Sequence, residues 1–476
     1  MLDFGQVFLR RSCWHWPCLR DLEIVPINLI FIVWAGVLVT LMQAGFALVA
    51  TGLCRAKNSA QVISTSLLIY LLSVLGFWIC GFALLAGGWS GKAGTPISQV
   101  SIHLFGHSFG LWGTSGFFLA SPGVDPAVYG WFFFLATVIS LAAVIPAGVM
   151  AERWKMANVA LYGLVVALPL AIFGHWVWGD GWLAQLGQNL GLGHGFVDFA
   201  GSSVVHAAGG MIGLMGAAAI GPRLGKYARD GRPRPIAGHN LVYVVVGSLL
   251  LAVGWFGFNI GPSLLTDAAR VPIIAVNTLL AAVAGAAAAG ALVTTKFRKP
   301  DPSMVCNGLL AGLVAISASC AFVNPAGAIL TGAVAGLLVV YAVLFFEGKV
   351  KLDDPMGALS VHGVGGVWGA LSLGLMADGS FGMGWNGASE KTGVAGAFAT
   401  IFGGLANDWG QLAAQIIGAA SCLIFMGLAS WLWFKTSSRF VPLRTRREEE
   451  LGGLDLPQVG AECYPDFRLN DTGRPE

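Results

Sequence analysis

Apolar stretches of about the length needed to cross a bilayer recur along the chain, separated by polar connectors. A helix must supply about 20 predominantly apolar residues to span the hydrocarbon core. Eleven stretches do so: 27–53, 61–87, 129–151, 157–177, 199–221, 238–261, 271–294, 304–322, 326–346, 358–376 and 411–434. The segment 101–121 is apolar only in patches. It carries His103, His107 and four glycines and is expected to form an outer loop with short helical pieces. The pattern predicts an all-α integral membrane protein with eleven transmembrane helices.

Composition agrees. The 476 residues are 56% hydrophobic and only 11% charged, whereas a soluble domain carries about 25% charged residues. Too little polar surface exists to face water, and membrane lipid is the expected surroundings. The net charge of +3 is scattered between apolar runs and gives no reason to expect nucleic acid. The eight cysteines show no CxxC spacing. Most fall in apolar runs, as small packing residues do. Cys13 and Cys18 could pair if the N-terminus lies outside.

Charge then orients the helices, because cytoplasmic loops concentrate Lys and Arg. Alternate loops hold fourteen basic residues, Arg55 to Lys351, while the others hold only Lys92, Arg270 and Lys391. The N-terminus is expected outside and the C-terminus in the cytoplasm, although Arg10, Arg11 and Arg20 oppose this. Residues 1–26 lack the apolar core and small-residue end of a signal peptide. The expected organisation is an external segment, 1–26, a transmembrane domain, 27–434, and a cytoplasmic tail, 435–476.

A repeat gives this plan a centre. Val-His-x-x-Gly-Gly-x-x-Gly occurs at Val205–Gly213 and at Val361–Gly369, and each copy has an aspartate eight residues before its histidine, Asp198 and Asp354. The histidines fall on the fifth and tenth spans. Two five-helix repeats, about 27–221 and 238–376, would have opposite orientations because five is odd, with 411–434 as a final helix. His206 and His362 could then meet near the midplane. One intramembrane histidine is as readily an ordinary buried polar residue as a functional one, but a duplicated one favours function. Two facing imidazoles can share a proton and line a path for a small hydrogen-bonding solute. They do not make a structural metal site, which needs three or four ligands, so neither metal nor cofactor is expected.

Other residues carry weaker signals. The glycines after each histidine are explained by close helix packing. Asp198 is expected to cap the fifth helix and to favour a cation nearby, and Asp354 to cap the tenth. Trp176, Trp178, Trp182 and Phe132–Phe134 form either an interfacial aromatic belt or a cation–π surface.

Taken together, the motifs resemble those of the ammonium transporter/Rh family. Asp198-Phe-Ala-Gly-Ser-Ser-Val-Val-His206 is similar to its signature on the fifth helix. Met42-Gln-Ala-Gly-Phe-Ala, Arg55-Ala-Lys-Asn58, Ala151-Glu-Arg153, Gly254-Trp-Phe-Gly-Phe-Asn259 and Asp354-Pro resemble further family segments, as does Glu448-Glu-Glu with Gly453-Leu-Asp-Leu456 in the tail. The resemblance implies a homotrimer with one pore per subunit, an outer site that recruits ammonium, and an apolar lumen carrying ammonia past two histidines. It assigns Trp178, Asp198 and the neighbouring Ser263 to recruitment, Phe258 and the 134–138 region to the gate, and His206 and His362 to the lumen. It also implies a trimeric PII-type signalling protein as a possible partner of the tail. The chain departs from the family pattern at four places. Val138 stands where a gate phenylalanine is usual, so Phe134 becomes a candidate; Pro262 replaces a serine; Ala50 replaces an acidic residue; and Pro457-Gln-Val-Gly460 replaces a Ser-Glu-His-Gly run. The expected function is ammonium/ammonia transport. A receptor acting through a partner and a channel for another neutral gas are the alternatives, and a membrane enzyme is not expected.

Overall fold

The computed structural model describes residues 27–88, 98–104, 106–120 and 125–467. Cys13, Cys18 and the rest of 1–26 lie outside the described residues. Among those described, eleven helices are long and apolar enough to cross a membrane. They are Asn28–Leu53, Ala56–Ala86, Pro126–Val149, Met156–Trp178, Ser202–Ile220, Leu241–Ile260, Ala268–Phe297, Pro302–Ser319, Pro325–Val350, Leu359–Met376 and Trp409–Phe440. Each coincides with an expected span. The protein is a multi-pass, mostly helical membrane protein.

Local sequence sets several helix starts. Asp125, Asp301 and Asn324 precede Pro126, Pro302 and Pro325, and each accepts a hydrogen bond from a backbone N–H of the first turn. Asn240 and Asp408 do the same for the sixth and last spans. Proline suits the first helical position because no intrahelical partner exists there for an N–H. The last span continues to Phe440, beyond the expected end at 434. Its added turn carries Lys435 and Arg439, and basic residues suit a helix C-terminus.

One expectation fails. Most of the described residues of 101–121 form a β-hairpin rather than short helical pieces: β1, Gln99–Leu104, pairs antiparallel with β2, His107–Gly113, and one 3-10 turn follows at Phe117–Leu119. Val100, Ile102 and Leu104 alternate with polar residues, the period of a strand. Ser101 and His103 between them, and the glycines that follow at 106, 110 and 113, break any helical apolar stripe.

Burial separates the helices into a core and a shell. The third, fifth and tenth spans have 83%, 72% and 72% of their central windows buried, against 33% for the seventh. The third, fifth and tenth therefore form the centre, and the seventh leaves Val276, Leu279 and Val283 exposed on an apolar outer face. Within the core the fifth and tenth spans cross antiparallel at their glycines. Gly210 abuts Gly363, and further along Gly366 lies against Ala207 and Ser202. A Cβ on Gly366 would sit 2.6 Å from the Ala207 nitrogen. Backbone cannot yield as a flexible side chain can. Gly366→Ala should therefore force the two helices apart and destabilise the protein by about 1–3 kcal/mol. A thermal melt of detergent-purified protein checks this; an unchanged melting temperature would mean that the crossing is loose.

At one end of the bundle the chain builds a buried ionic cluster. Glu152 pairs with Arg55 and with Arg223 at 2.7 Å; Arg223 also pairs with Asp353 at 2.9 Å, and Arg153 lies 3.8 Å from Asp353. These basic residues come from alternate loops, so the structure gathers them at one end, as the charge pattern requires. The tail lies across this basic end. Glu450 binds Arg444 and accepts from the Leu224 nitrogen, Asp455 accepts from the Gln61 nitrogen, and the Asn58 carboxamide joins Glu152 to the Leu454 nitrogen.

Candidate functional site

The site begins with the two aspartates. The Asp198 carboxylate accepts hydrogen bonds from the nitrogens of Gly201, Ser203 and Val204 at 3.1, 2.7 and 2.9 Å. Asp354 accepts from Ala358 and Leu359 at 3.0 and 2.9 Å. Both are caps, as expected, and satisfy N–H groups that the first helical turn leaves free. A glycine in the left-handed region precedes each helix, Gly201 at φ 119° and Gly357 at φ 67°. The turns that follow, Ser202–Ala207 and Leu359–Val364, are wound as π-helix. Such widened turns recur at functional positions, and each of these carries a histidine.

The two caps deliver His206 and His362 to one point. Their Nδ1 atoms are 3.1 Å apart and their rings are nearly parallel, with centroids 5.1 Å apart. One ring must donate from Nδ1 and the other accept. In neutral rings, one outward Nε2 then bears a proton and the other is bare. Exchanging these roles takes three proton movements: the shared proton crosses between the Nδ1 atoms, the bare Nε2 gains a proton and the other Nε2 loses one.

Aromatic rings hold the pair. Trp255 stacks on His206 at 5.0 Å, Phe258 tilts against it at 5.5 Å, and Phe46 lies 5.5 Å from His362. Trp255 is fixed in turn by donating to Ser317 Oγ at 2.9 Å. His206 Nε2 is buried with no hydrogen-bond partner among the described residues. His362 lines a cavity of about 30 Å³ on the side of the basic end, enough for one or two molecules the size of water. The surroundings are otherwise almost wholly apolar. An ion there would lose its hydration without replacement, whereas a small neutral molecule needs only one or two hydrogen bonds.

The other expected residues flank this pair on the hairpin side. Trp178 donates from Nε1 to the Asp198 carbonyl at 2.6 Å. Burial pushes the Asp198 carboxyl up to about 6, against the lowering effect of its backbone donors. Ser263 is buried and donates from Oγ to the Ile260 carbonyl at 2.7 Å. Phe134 lies against Gly261, in the same turn, and edge-on to Trp131. Val138, one turn nearer the basic end, is 2% exposed. Phe258 and Phe134 thus contribute rings where Val138 does not.

Some expected aromatics lie elsewhere. Trp176 donates to the Leu111 carbonyl of β2, and Phe132 packs on Phe77 and Phe82. The other buried histidines also have separate roles: His175 joins the Leu85 carbonyl to Gln99, and His194 meets the Thr392 carbonyl. Sequence reasoning did not assign Trp255, Phe46 or Ser317 to the site. Trp255 was within reach, since it belongs to the Gly254–Asn259 motif.

Eleven spans around a paired imidazole define a multi-pass membrane protein with a polar centre in an apolar interior. A model of the Ammonium Transporter Family matches residues 30–464. The ammonium transporter Amt2 of Archaeoglobus fulgidus is 40% identical over 461 residues, which is 96% of this chain and 92% of that one. The chain belongs to the ammonium transporter family. Among solved structures, a sensor Amt protein superposes with a TM-score of 0.77 at 31% identity, covering 91% of this chain and 98% of its own. Mep2 of Saccharomyces cerevisiae superposes with a TM-score of 0.72 over 88% of each chain, and at 22% identity shows the fold alone.

Proposed function

We infer that this protein carries ammonium across the cell membrane by taking up the ion at the hairpin end, removing its proton, and passing ammonia by the histidine pair. Family membership supports the substrate. The 3.1 Å contact between His206 and His362 inside an apolar shell supports the mechanism. The basic end is read as cytoplasmic, from the positive-inside rule, which places the tail inside and residues 1–26 outside.

Asp198 and Trp178 recruit the cation. The carboxylate supplies negative potential, and the indole, held by its bond to the Asp198 carbonyl, offers a π face. The Ser263 hydroxyl donates to a carbonyl, so its lone pairs remain to accept from ammonium. Phe258 and Phe134 close the way to the histidines, and Val138 leaves the inner layer of that gate thin. Potassium has no proton to give up, so a dry lumen excludes it by chemistry rather than size. The protein works as a homotrimer in this reading, and its docked tail is the surface offered to a PII-type partner.

Ammonium-evoked current from purified protein in liposomes on a supported membrane, with potassium as control, tests the function. A current specific to ammonium supports transport; absence of both current and tracer flux rejects it. A sensing role is the second reading, favoured by the similarity to the sensor Amt structure. Binding of ammonium with no flux would select it.

Recruitment also predicts a pH response. With Asp198 titrating at about 6, its charge is present above that pH and lost as pH falls through it. At about pH 5 roughly one-tenth remains, while ammonium itself stays protonated. Flux at subsaturating ammonium should fall severalfold between about pH 7 and about pH 5, and Asp198→Asn should flatten this dependence. An equally steep profile in Asp198→Asn would remove Asp198 from recruitment.

A further inference from the structure

The cavity beside His362 is apolar on almost every side. Phe46, Val144, Leu310 and Met356 are among its walls, and its polar side chains besides His362 are Ser66 and Asn307. Ser66 donates to the Val62 carbonyl of its own helix. Asn307, on the eighth span, is 7% exposed. Its Nδ2 is 3.4 Å from the Met356 carbonyl, the one side-chain hydrogen bond of Asn307 among the described residues. A Cβ on Gly357 would come within 2.8 Å of the same Nδ2. The Met356–Gly357 turn therefore takes up the nitrogen side of the carboxamide, while Oδ1 makes no hydrogen bond among the described residues and Asn307 borders the cavity.

A carboxamide oxygen there accepts hydrogen bonds and carries no net charge. It matches a neutral solute bearing N–H donors. One dipole does not replace the hydration shell of an ion, and a gas without donors gains nothing from it. His362 lines the same space. When His362 bears its proton on Nε2 it can donate to the lone pair of ammonia, whose own N–H groups then face an acceptor across the cavity.

We propose that Asn307 is a specificity-determining residue on the cytoplasmic side of the histidine pair, where its Oδ1 accepts a hydrogen bond from neutral ammonia on its way out. The proposal rests on the transport reading given above. It adds a second polar station to the lumen and separates roles along the path: charge is handled at Asp198 and the histidines, and the neutral product is handled at Asn307.

The test compares initial rates of ammonium and methylammonium flux in proteoliposomes for the wild type, Asn307→Leu and Asn307→Ser. Leucine keeps the approximate volume and removes the acceptor; serine is smaller but restores one. Losing one neutral hydrogen bond in the lumen should lower the maximal ammonium rate of Asn307→Leu by up to about tenfold. The half-saturating ammonium concentration, set at the distant outer site, should not change. Asn307→Ser should recover part of the rate. The ammonium-to-methylammonium ratio should fall in Asn307→Leu, because methylammonia has one fewer N–H and gains more from an apolar wall.

A full ammonium rate in Asn307→Leu overturns the proposal, as does Asn307→Ser performing no better than leucine, which would indicate packing alone. If leucine prevents folding, Asn307→Ala, which also removes the acceptor, takes its place: a full ammonium rate in it overturns the proposal, as does a rate no lower than that of Asn307→Ser. A wild type without flux would instead defeat the transport reading. The two failures are thus distinct.

Discussion

His206→Ala and His362→Ala should each abolish ammonium-selective transport. Either change removes half of a hydrogen-bonded pair and opens a void between Trp255, Phe258 and Phe46, large enough to admit water. The partner imidazole then faces that water instead of a ring nitrogen. Positioned proton transfer contributes about 10²–10⁴-fold in general, and a loss of that order is expected in ammonium flux. Residual conduction through the wetted void should no longer discriminate ammonium from potassium. The check is ammonium- and potassium-evoked current side by side, with tracer flux measured on the same liposomes. Wild-type selectivity in both variants would remove the pair from the mechanism.

Asp353→Asn should give the largest loss of stability at the basic end. Asp353 is buried with Arg223 and Arg153, and Glu152 is buried between Arg223 and Arg55. Removing one anion leaves three guanidinium groups around a single carboxylate. Breaking a buried pair from one side costs about 3–5 kcal/mol, because an uncompensated charge remains. The same cluster carries the tail through Asn58, so limited proteolysis should release the segment after Phe440 faster in the variant. A melting temperature and a cleavage rate equal to wild type would show that the cluster is not a structural anchor. The pH dependence has a definite sign. Burial alone would raise the Asp353 carboxyl, but Arg223 and Arg153 outweigh it and hold it at about 2. Its contribution to stability is therefore full above the ordinary carboxylate range and disappears as pH falls through about 2.

The sequence carried the bundle and its centre well, and for a physical reason. Spanning helices must be long, apolar and internally hydrogen-bonded, so hydropathy alone located all eleven. His206 and His362 stood out because the same nine-residue pattern surrounds both. Asp198 and Asp354 were legible as caps because a cap depends on residues close in sequence. What the sequence hid depends on residues far apart. Ser317 holds Trp255 across 62 positions, and nothing local marks either residue for the other. The hairpin was missed because its alternation, Val100 to Leu104, is only five residues long and is followed by Gly106, Gly110 and Gly113 in a chain dominated by helices. Val138 looked like half of an opened gate; in space Phe134, one turn away, already lies against Gly261.

The antiparallel crossing of the fifth and tenth spans has one more consequence. Each span brings its imidazole to the shared Nδ1 contact from the opposite direction, so the backbone leaves either ring free to be the donor. In one tautomer the two faces differ, one outward Nε2 protonated and the other bare, but the two tautomers mirror each other. In the transport reading such a pair has little built-in direction. Directionality must then be written in the mouths, which differ: Asp198 beside an indole at one end, Asp354 beside an arginine-bound Asp353 at the other. Engineering the mouths would change the sense of rectification, and engineering the centre would change only what passes.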